Sequence, residues 1–246
     1  MALVEPIPGK AVATADLGDE RALVVADFHA GIEDHLRYEQ GINLDSRAGD
    51  RREGIHALLD RTDPDRVIFL GDLMQSIAGP GGAERGEIEV LLESIDVPVT
   101  LVKGNHDGDI ESWIGCEVTP GDGIRLGDVG FVHGHTWPSR DVLSAGVVCV
   151  GHEHPCVRLE DSVGGSRVER VWLRGEMNSD VFAEHADEEL DLDGELVVFP
   201  AFNDLTGGTW VNVQGQGFLS PFLPGGLAEG EAYLLDGARL GRYDRI

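Results

Sequence analysis

The chain has 246 residues, of which 41% are hydrophobic, and a formal net charge of −26 at pH 7. This hydrophobic fraction excludes an intrinsically disordered chain and is sufficient for a sizeable core. The acidity argues against nucleic-acid binding through basic charge, except in molar salt, where that electrostatic contribution is largely lost for any protein.

The basic residues are almost all arginine, since Lys10 and Lys103 are the only two lysines of the sequence. An acidic, lysine-poor surface suits a salty cytoplasm, where counterions screen the self-repulsion. We therefore predict a halophilic source, and a basic protein partner is the alternative explanation. The three cysteines lack metal-type spacing, and the sequence shows no signal-peptide pattern and no membrane-length apolar run, which predicts a cytoplasmic protein.

Short apolar runs alternate with helical patterns through the first two-thirds of the chain. The apolar runs predict strands at 22–26, 66–70, 99–102, 130–133 and 147–150. Apolar residues recur at helical spacing over 47–61 and 83–95. Buried strands that alternate with helices predict an α/β architecture.

Beyond Cys156 the pattern changes to successive strands. These are predicted at 156–161, 166–175, 195–200, 209–213 and 232–243, and the acidic stretch 183–195 is predicted to be a solvated loop. The sequence contains no repeat and no long linker, so residues 1–246 are predicted to form one domain.

Each of the first five predicted strands is followed by residues that can bind metals or handle protons. In chain order these sequences are ADFH, GD, GNHD, HGH and GHEH. The carboxyl ends of strands in open α/β sheets are where sites assemble. Six of the nine histidines fall at these ends, and the other three, His35, His56 and His185, are predicted to have surface or packing roles.

Each motif alone has an ordinary structural explanation, such as a turn, a helix cap or a core histidine. Five of them at five strand ends are not explained by folding alone, because unpaired polar groups at the end of a buried strand cost stability. Binding to a shared cluster of metal ions would give the polar groups of all five motifs a partner.

The order D-x-H, G-D, G-N-H-D, H, G-H-x-H, which runs from Asp27 to His154, resembles the calcineurin-like metallophosphoesterase superfamily. Within it, GHEHP followed by PAFNDLTGG at 200–208 is similar to the archaeal SbcD-related and bacterial DNA-ligase-associated phosphoesterases. The resemblance implies a four-layer α/β sandwich, in which two mixed β-sheets are flanked by helices.

The resemblance also implies two divalent cations, with manganese preferred and iron, zinc or cobalt as alternatives. It assigns Asp27, His29 and His154 to one metal and Asn105, His133 and His152 to the other, and Asp72 bridges both. Imidazole, carboxylate and amide oxygen are suitable ligands for such metals. Two metals about 3.5–4 Å apart hold a water, lower its pKa to give hydroxide, and neutralise phosphoryl oxygens.

In the resembling family, the residue at the position of His106 stabilises the phosphoryl group or protonates the leaving oxygen. Asp107 is expected to orient the His106 ring and raise its pKa. A helix N-cap is the structural alternative for Asp107.

Gln75, His135 and Asn203 are candidates for substrate binding. His135 is otherwise a structural hydrogen-bonding residue. Asn203 lies in segment 200–208, which is predicted to pack beside the metals because its glycine pair allows close backbone approach; an ordinary turn is the alternative.

Gln75 stands where the SbcD-type nucleases and many ligase-associated relatives carry a histidine. Because glutamine donates hydrogen bonds but carries no proton, hydrolysis is expected to survive while nuclease activity is in doubt.

The sequence thus predicts a dinuclear-metal phosphoesterase that hydrolyses a phosphodiester of DNA or a nucleotide, in a role such as DNA repair, without a membrane partner. The alternative is a small-molecule phosphatase or cyclic-nucleotide phosphodiesterase, which Gln75 and the acidic surface favour. A metal-free scaffold is disfavoured because all seven ligands and His106 are present.

Overall fold

A computed structural model describes residues 2–77, 79–161, 163–213 and 215–246. It contains two mixed β-sheets packed face to face and flanked by helices, which confirms the predicted fold class. No helix in these described ranges is long and apolar enough to cross a membrane.

The first sheet is built from six strands in chain order. They are Val4–Pro6 (β1), Val12–Asp16 (β2), Arg21–Ala26 (β3), Arg66–Leu70 (β4), Val99–Val102 (β5) and Glu117–Thr119 (β6). Strands β3 to β6 run parallel, with Ala26 opposite Leu70 and Phe69 opposite Leu101. Their carboxyl ends therefore meet at one edge of the sheet.

The second sheet has the order β14-β13-β11-β12-β9-β8-β7, and β10 pairs with β11 outside this path. Its strands are Ile124–Leu126 (β7), Val129–Val132 (β8), Val147–Val150 (β9), Cys156–Glu160 (β10), Ser166–Met177 (β11), Glu195–Val198 (β12), Leu227–Leu234 (β13) and Arg239–Arg242 (β14). Strands β8, β9 and β12 are parallel, so β12 also delivers the segment that follows it to the edge where β8 and β9 end.

The described residues also form five α-helices and two short 3-10 helices. The α-helices are Ile32–Gln40 (α1), Ala48–Thr62 (α2), Gly82–Glu93 (α3), Arg140–Leu143 (α4) and Ser179–Ala186 (α5), and the 3-10 helices are Ile110–Ser112 and Tyr243–Arg245.

Alternate residues of each central strand enter different cores. In β3, Val24 packs between the two sheets, whereas Leu23 and Val25 pack against Ile55 of α2 and Ile88 of α3. The outer face of the second sheet packs against α4 and α5. This alternation gives four layers and leaves the carboxyl ends of the strands free for polar side chains.

Two local predictions were wrong. Segment 209–213 pairs with β10 only around Cys156, because the Asn212 side chain bonds to both backbone groups of Arg158 and ends the pairing. The first residues of the predicted loop 183–195 belong to α5, which forms because Phe182 is buried against the second sheet.

Candidate metal centre

Polar side chains from both sheets meet where the parallel strands end. Ligand atoms of aspartates and histidines form three overlapping groups, and within each group they lie within 4.8 Å of one another. The groups are Asp27, His29 and His154; His29, Asp72 and His106; and Asp72, His133 and His152. Asp72 belongs to two of them, and its role as a bridge between two metals stays a prediction.

The first group and the neighbouring Asp72 bring two imidazoles and two carboxylates together. Nε2 of His29 lies 3.2 Å from Nε2 of His154 and 3.8 Å from the carboxylate of Asp72. Nε2 of His154 lies 3.3 Å from the Asp27 carboxylate. Imidazole nitrogens that face each other and neighbouring carboxylates are arranged as ligands of one cation would be.

The third group, Asp72, His133 and His152, is centred on His133, which is fully buried. Its Nε2 lies 3.3 Å from the Asp72 carboxylate and 3.2 Å from Oδ1 of Asn105. The rings of His133 and His152 are 4.9 Å apart. Asn105 thus supplies the amide oxygen that the sequence places in this group.

Backbone carbonyls fix the tautomers of three histidines. Nδ1 of His133 donates to Leu70 at 2.7 Å, Nδ1 of His154 to Gly207 at 3.0 Å, and Nδ1 of His106 to Gln75 at 2.5 Å. Because a carbonyl only accepts, each Nδ1 carries the hydrogen and each Nε2 is turned toward the centre. This arrangement is typical of histidines that bind metals or substrate.

The backbone at the centre has an unusual conformation. Eight non-glycine residues in the described ranges have a positive φ, and five of them are candidate ligands. These are Asp27, His29, Asp72, His152 and His154, with φ between 44° and 69°. Left-handed backbone costs roughly 1–3 kcal/mol per residue and is concentrated at functional sites.

Asp107 does not contact the His106 ring, and the prediction that it orients that ring is corrected by its hydrogen bonds. Its fully buried carboxylate accepts the backbone N–H groups of Asp72, Leu73, Met74 and Gly104, at 2.8–3.2 Å. Its side chain also caps no helix. Asp107 therefore ties the loop after β4 to the loop after β5.

Glu153, which the sequence did not single out, ties the C-terminal segments to the centre. It is fully buried between His152 and His154. One carboxylate oxygen accepts the N–H groups of Leu219 and Ser220, and the other accepts the Thr209 hydroxyl. The one feature of the sequence that points to it is the position of a charged residue between the two histidines of the GHEH motif.

The three candidate substrate residues occupy different surroundings. Asn203 is 2% exposed, and its amide donates to the carbonyls of Phe28 and His29 at 3.0 and 3.2 Å. It therefore holds the loop that carries His29 and is not open to substrate. His135 lies beside His133, with ring centroids 5.4 Å apart, and its buried Nδ1 has no partner in the described structure. Gln75 is half-buried and accepts from His106 through its backbone oxygen.

The three histidines predicted to lie elsewhere do so. His56 contacts the Ser94 hydroxyl at 2.9 Å, and His185 stacks on Trp137 with ring centroids 3.8 Å apart. His35 is exposed on α1.

Comparison with known protein families matches residues 20–145 to the calcineurin-like phosphoesterases. The chain belongs to the calcineurin-like phosphoesterase family. It is therefore a metal-dependent hydrolase of phosphoesters. A comparison with the sequences of curated proteins gives no match.

Two solved structures are similar to this chain. The nuclease MPE of Pseudomonas putida is 19% identical to this chain, covers 96% of it and all of that protein, and has a TM-score of 0.59. Yfce, a phosphoesterase from E. coli, is 15% identical, covers 89% of this chain and 96% of its own, and has a TM-score of 0.43. At 19% identity, the similarity to MPE shows a common fold.

The donor set of this calcineurin-like phosphoesterase fits the two divalent metals of its family. Asp27, His29, His154 and Asp72 are available to one cation, and Asp72, Asn105, His133 and His152 to the other. Mixed imidazole and oxygen donors suit divalent transition metals.

Burial and neighbouring charges shift the pKa values of these groups in opposite directions. Burial raises the pKa of Asp72, but His133, His29 and His106 outweigh it and hold that pKa well below its usual value. Burial lowers the pKa of His29 and of His152 to about 4, so both are neutral and ready to bind metal at pH 7. At His133 the effect of burial is outweighed by the Asp72 and Asp27 carboxylates, which raise the pKa to about 9.

We expect the metal-free protein to be most stable near about pH 6.5, the ordinary pKa of histidine. Between this pH and about 4 the unfolded chain binds more protons at His29 and His152, so stability falls as the pH is lowered. Burial and Asp72 raise the pKa of Asp107 to about 6, which offsets part of this loss. Between about 6.5 and 9 the folded chain holds the extra proton on His133, so stability also falls as the pH rises.

Thermal unfolding of chelator-treated protein from pH 4 to 9 measures this dependence. With metal bound, the alkaline loss should shrink, because a cation replaces the proton of His133. A melting temperature that changes in one direction over the whole range would contradict the expectation.

Gly208 is packed against the loop that carries His154. A Cβ atom at position 208 would overlap the His154 carbonyl oxygen and lie 2.8 Å from Sγ of Cys156, whereas one at Gly207 would have no atom within 4 Å. We expect Gly208→Ala to destabilise the protein by about 1–3 kcal/mol and to weaken metal binding about 10-fold or more. Gly207→Ala is the matched control, and equal melting temperatures and metal affinities of the two variants would refute the close packing.

Proposed function

We propose that this calcineurin-like phosphoesterase hydrolyses a phosphodiester bond at a centre of two divalent cations. The observation that carries the proposal is the position of the Asp72 carboxylate, which lies 3.8 Å from Nε2 of His29 in one proposed ligand set and 3.3 Å from Nε2 of His133 in the other. When bound, two such cations lower the pKa of water to near 7 and neutralise developing charge on the phosphoryl oxygens.

The side chain of His106 is placed to act on the substrate beside the metals. The imidazole of His106 is half-buried, with Nδ1 anchored on the Gln75 carbonyl and Nε2 3.9 Å from the Asp72 carboxylate. Its backbone N–H donates to Asp72 at 2.9 Å, so its position is fixed by the centre while Nε2 remains free for substrate. We assign to His106 either proton donation to the leaving oxygen or stabilisation of the phosphoryl group.

Nucleic acid is the substrate class that we favour, with DNA repair as the biological setting. The fold it shares with the nuclease MPE, over 96% of this chain, and the SbcD-like GHEHP and PAFN sequences support this choice. A small-molecule phosphatase or cyclic-nucleotide phosphodiesterase is the second candidate, which is favoured by Gln75 in place of a proton-carrying histidine.

We further propose manganese as the native metal, residues 1–246 as a single functional domain, and a halophilic cytoplasm as the setting. The mixed oxygen and nitrogen donors support the metal. The contribution of both sheets to one centre supports the single domain. A net charge of −26 with two lysines supports the saline environment.

A substrate screen tests the function. Protein purified without chelator is analysed for metals, loaded with Mn²⁺, and assayed on aryl phosphodiesters, aryl phosphomonoesters, cyclic nucleotides and short single- and double-stranded DNA. Asp72→Asn, purified in parallel, reports contaminating activity. Turnover of the diesters and DNA supports the first candidate, and turnover of monoesters or cyclic nucleotides alone supports the second. If no substrate is hydrolysed above the Asp72→Asn level, the proposal fails.

A further inference from the structure

A small cavity beside the loop that carries Asp27 and His29 is lined by more basic than acidic side chains, although the protein as a whole is acidic. Its volume is about 200 Å³, and it lies between the β1–β2 turn, α2 and segment 202–204. Its charged lining residues are Lys10, Arg47, Arg51 and Arg170 with Asp50 and Asp204. By contrast, the cavity of about 610 Å³ beside Trp172 has one basic and four acidic residues: Arg174 with Glu176, Glu195, Glu229 and Glu231.

The cavity lies at the same edge of the first sheet as the metal centre. Val12 pairs with Val25 near the carboxyl end of β3, so the β1–β2 turn with Lys10 lies at that edge. On the other side, the N–H of Phe202 donates to Ala26 at 2.8 Å, and the Phe202 ring stacks on Phe28 at 5.6 Å. Phe202 and Asn203 of the cavity wall thus contact the loop that carries Asp27 and His29.

Two of the four basic residues are already neutralised. Arg51 is paired with Glu33 and Glu87 at 2.7 Å, and Arg47 is paired with Asp204 at 2.8 Å.

Lys10 and Arg170 differ, since neither has a carboxylate within ion-pair distance in the described parts of the chain. Nη1 of Arg170 donates to the carbonyls of Ala201 and Phe202, which leaves its other nitrogens for a ligand. Lys10 is exposed. Among the basic residues without such a partner in the described ranges, Lys10 and Arg170 are the two that line this cavity.

We propose that Lys10 and Arg170 form an anion subsite, which holds a second phosphate of the substrate while the first is hydrolysed at the metal centre. The inference rests on the proposed phosphoesterase function and extends it to substrates with at least two phosphates. A guanidinium with free N–H donors and a flexible ammonium group are the usual protein ligands of phosphate. The second phosphate is either an internal one of an oligonucleotide or a terminal one of a nucleotide.

The test compares substrates that differ in phosphate number. Bis(4-nitrophenyl) phosphate carries one phosphate, an unphosphorylated trinucleotide two internal ones, and a 5′-phosphorylated dinucleotide one internal and one terminal. The variants are Lys10→Gln, which removes no side-chain hydrogen bond or ion pair of the described residues, and Arg170→Gln, whose folding is checked by its melting temperature. Arg61→Gln is the matched control, because Arg61 is exposed near the end of α2, outside the cavity, and its substitution removes the same charge.

Relative to the one-phosphate ester, we expect kcat/KM on the two-phosphate substrates to fall about threefold in Lys10→Gln and about tenfold in Arg170→Gln. Arg61→Gln should preserve the wild-type ratio. A selective loss on the dinucleotide alone identifies a terminal phosphate, and a loss on the trinucleotide identifies an internal one. An equal loss on all substrates, or the same ratio in Lys10→Gln as in Arg61→Gln, overturns the subsite.

The subsite can also be tested without turnover. If the metal-loaded protein hydrolyses none of these substrates, the proposed function fails, and binding of a fluorescein-labelled trinucleotide to the same protein decides the subsite. A weaker affinity of Lys10→Gln than of Arg61→Gln supports it, and equal affinities overturn it.

Discussion

Replacement of His106 by alanine is expected to lower kcat on phosphodiesters by about 10²–10⁴-fold while the metal content stays unchanged. The size follows from the usual effect of removing a positioned acid or charge stabiliser. The metal content should persist because the proposed ligand Asn105 and the proposed bridging carboxylate of Asp72 are untouched. His35→Ala is the matched control, since His35 is exposed on α1, away from the centre. Steady-state kinetics with elemental analysis of each variant measure both quantities.

The leaving group separates the two roles of His106. If the imidazole protonates the leaving oxygen, the loss should be smaller for a nitrophenyl ester than for an alkyl ester. If it stabilises the phosphoryl group, the two losses should be similar. Asp72→Asn should lose both metal and activity, because the bridging carboxylate is then absent. Wild-type turnover by His106→Ala on every substrate would remove this residue from the mechanism.

Asp107→Asn is expected to destabilise the protein by about 3 kcal/mol, because the carboxylate of Asp107 is fully buried and hydrogen-bonded. Each carboxylate oxygen of Asp107 accepts two backbone N–H groups. An asparagine offers one acceptor oxygen, so two buried N–H groups would face an NH₂ group in either orientation of the amide. The melting temperature should fall by about 6–12 °C for a chain of this size.

Asp109→Asn is the control for that substitution, because Asp109 is exposed and two residues away. The comparison also separates two roles of Asp107. A residue that only oriented His106 would change kcat and leave the melting temperature unchanged. A residue that joins two loops must change the melting temperature and the metal affinity together. Identical unfolding of Asp107→Asn and wild type would contradict the loop-joining role.

The central strands could be predicted from the sequence because their signal is local. Buried β-branched runs identified β4, β5 and β9 with their observed bounds. The edge strands β1, β6 and β7 have three residues each and form only because a neighbouring strand offers hydrogen-bonding partners. No local pattern in the sequence distinguishes such short segments from loops.

The candidate site could also be predicted only in part from the sequence. The ligand types at the strand ends were visible in the sequence, and parallel pairing explains why they lie together. The partners of Asp107 and Glu153 were not visible, because those bonds join residues up to 35 and 67 positions apart. Asn203 lies against the loop that carries His29, and its use as a backbone clamp depends on burial that only the fold provides.

The long separations within the centre have a consequence for the order of folding. His29 and His154 are 125 residues apart, and Asn203 reaches the Phe28 carbonyl across 175 residues. Contacts of such separation form slowly, because long segments must be closed before the contacts can stabilise them. During synthesis, His29 leaves the ribosome long before Asn203 exists. We therefore expect the centre to assemble in the last stage of folding, so that metal enters a nearly complete protein and does not guide the chain toward its fold.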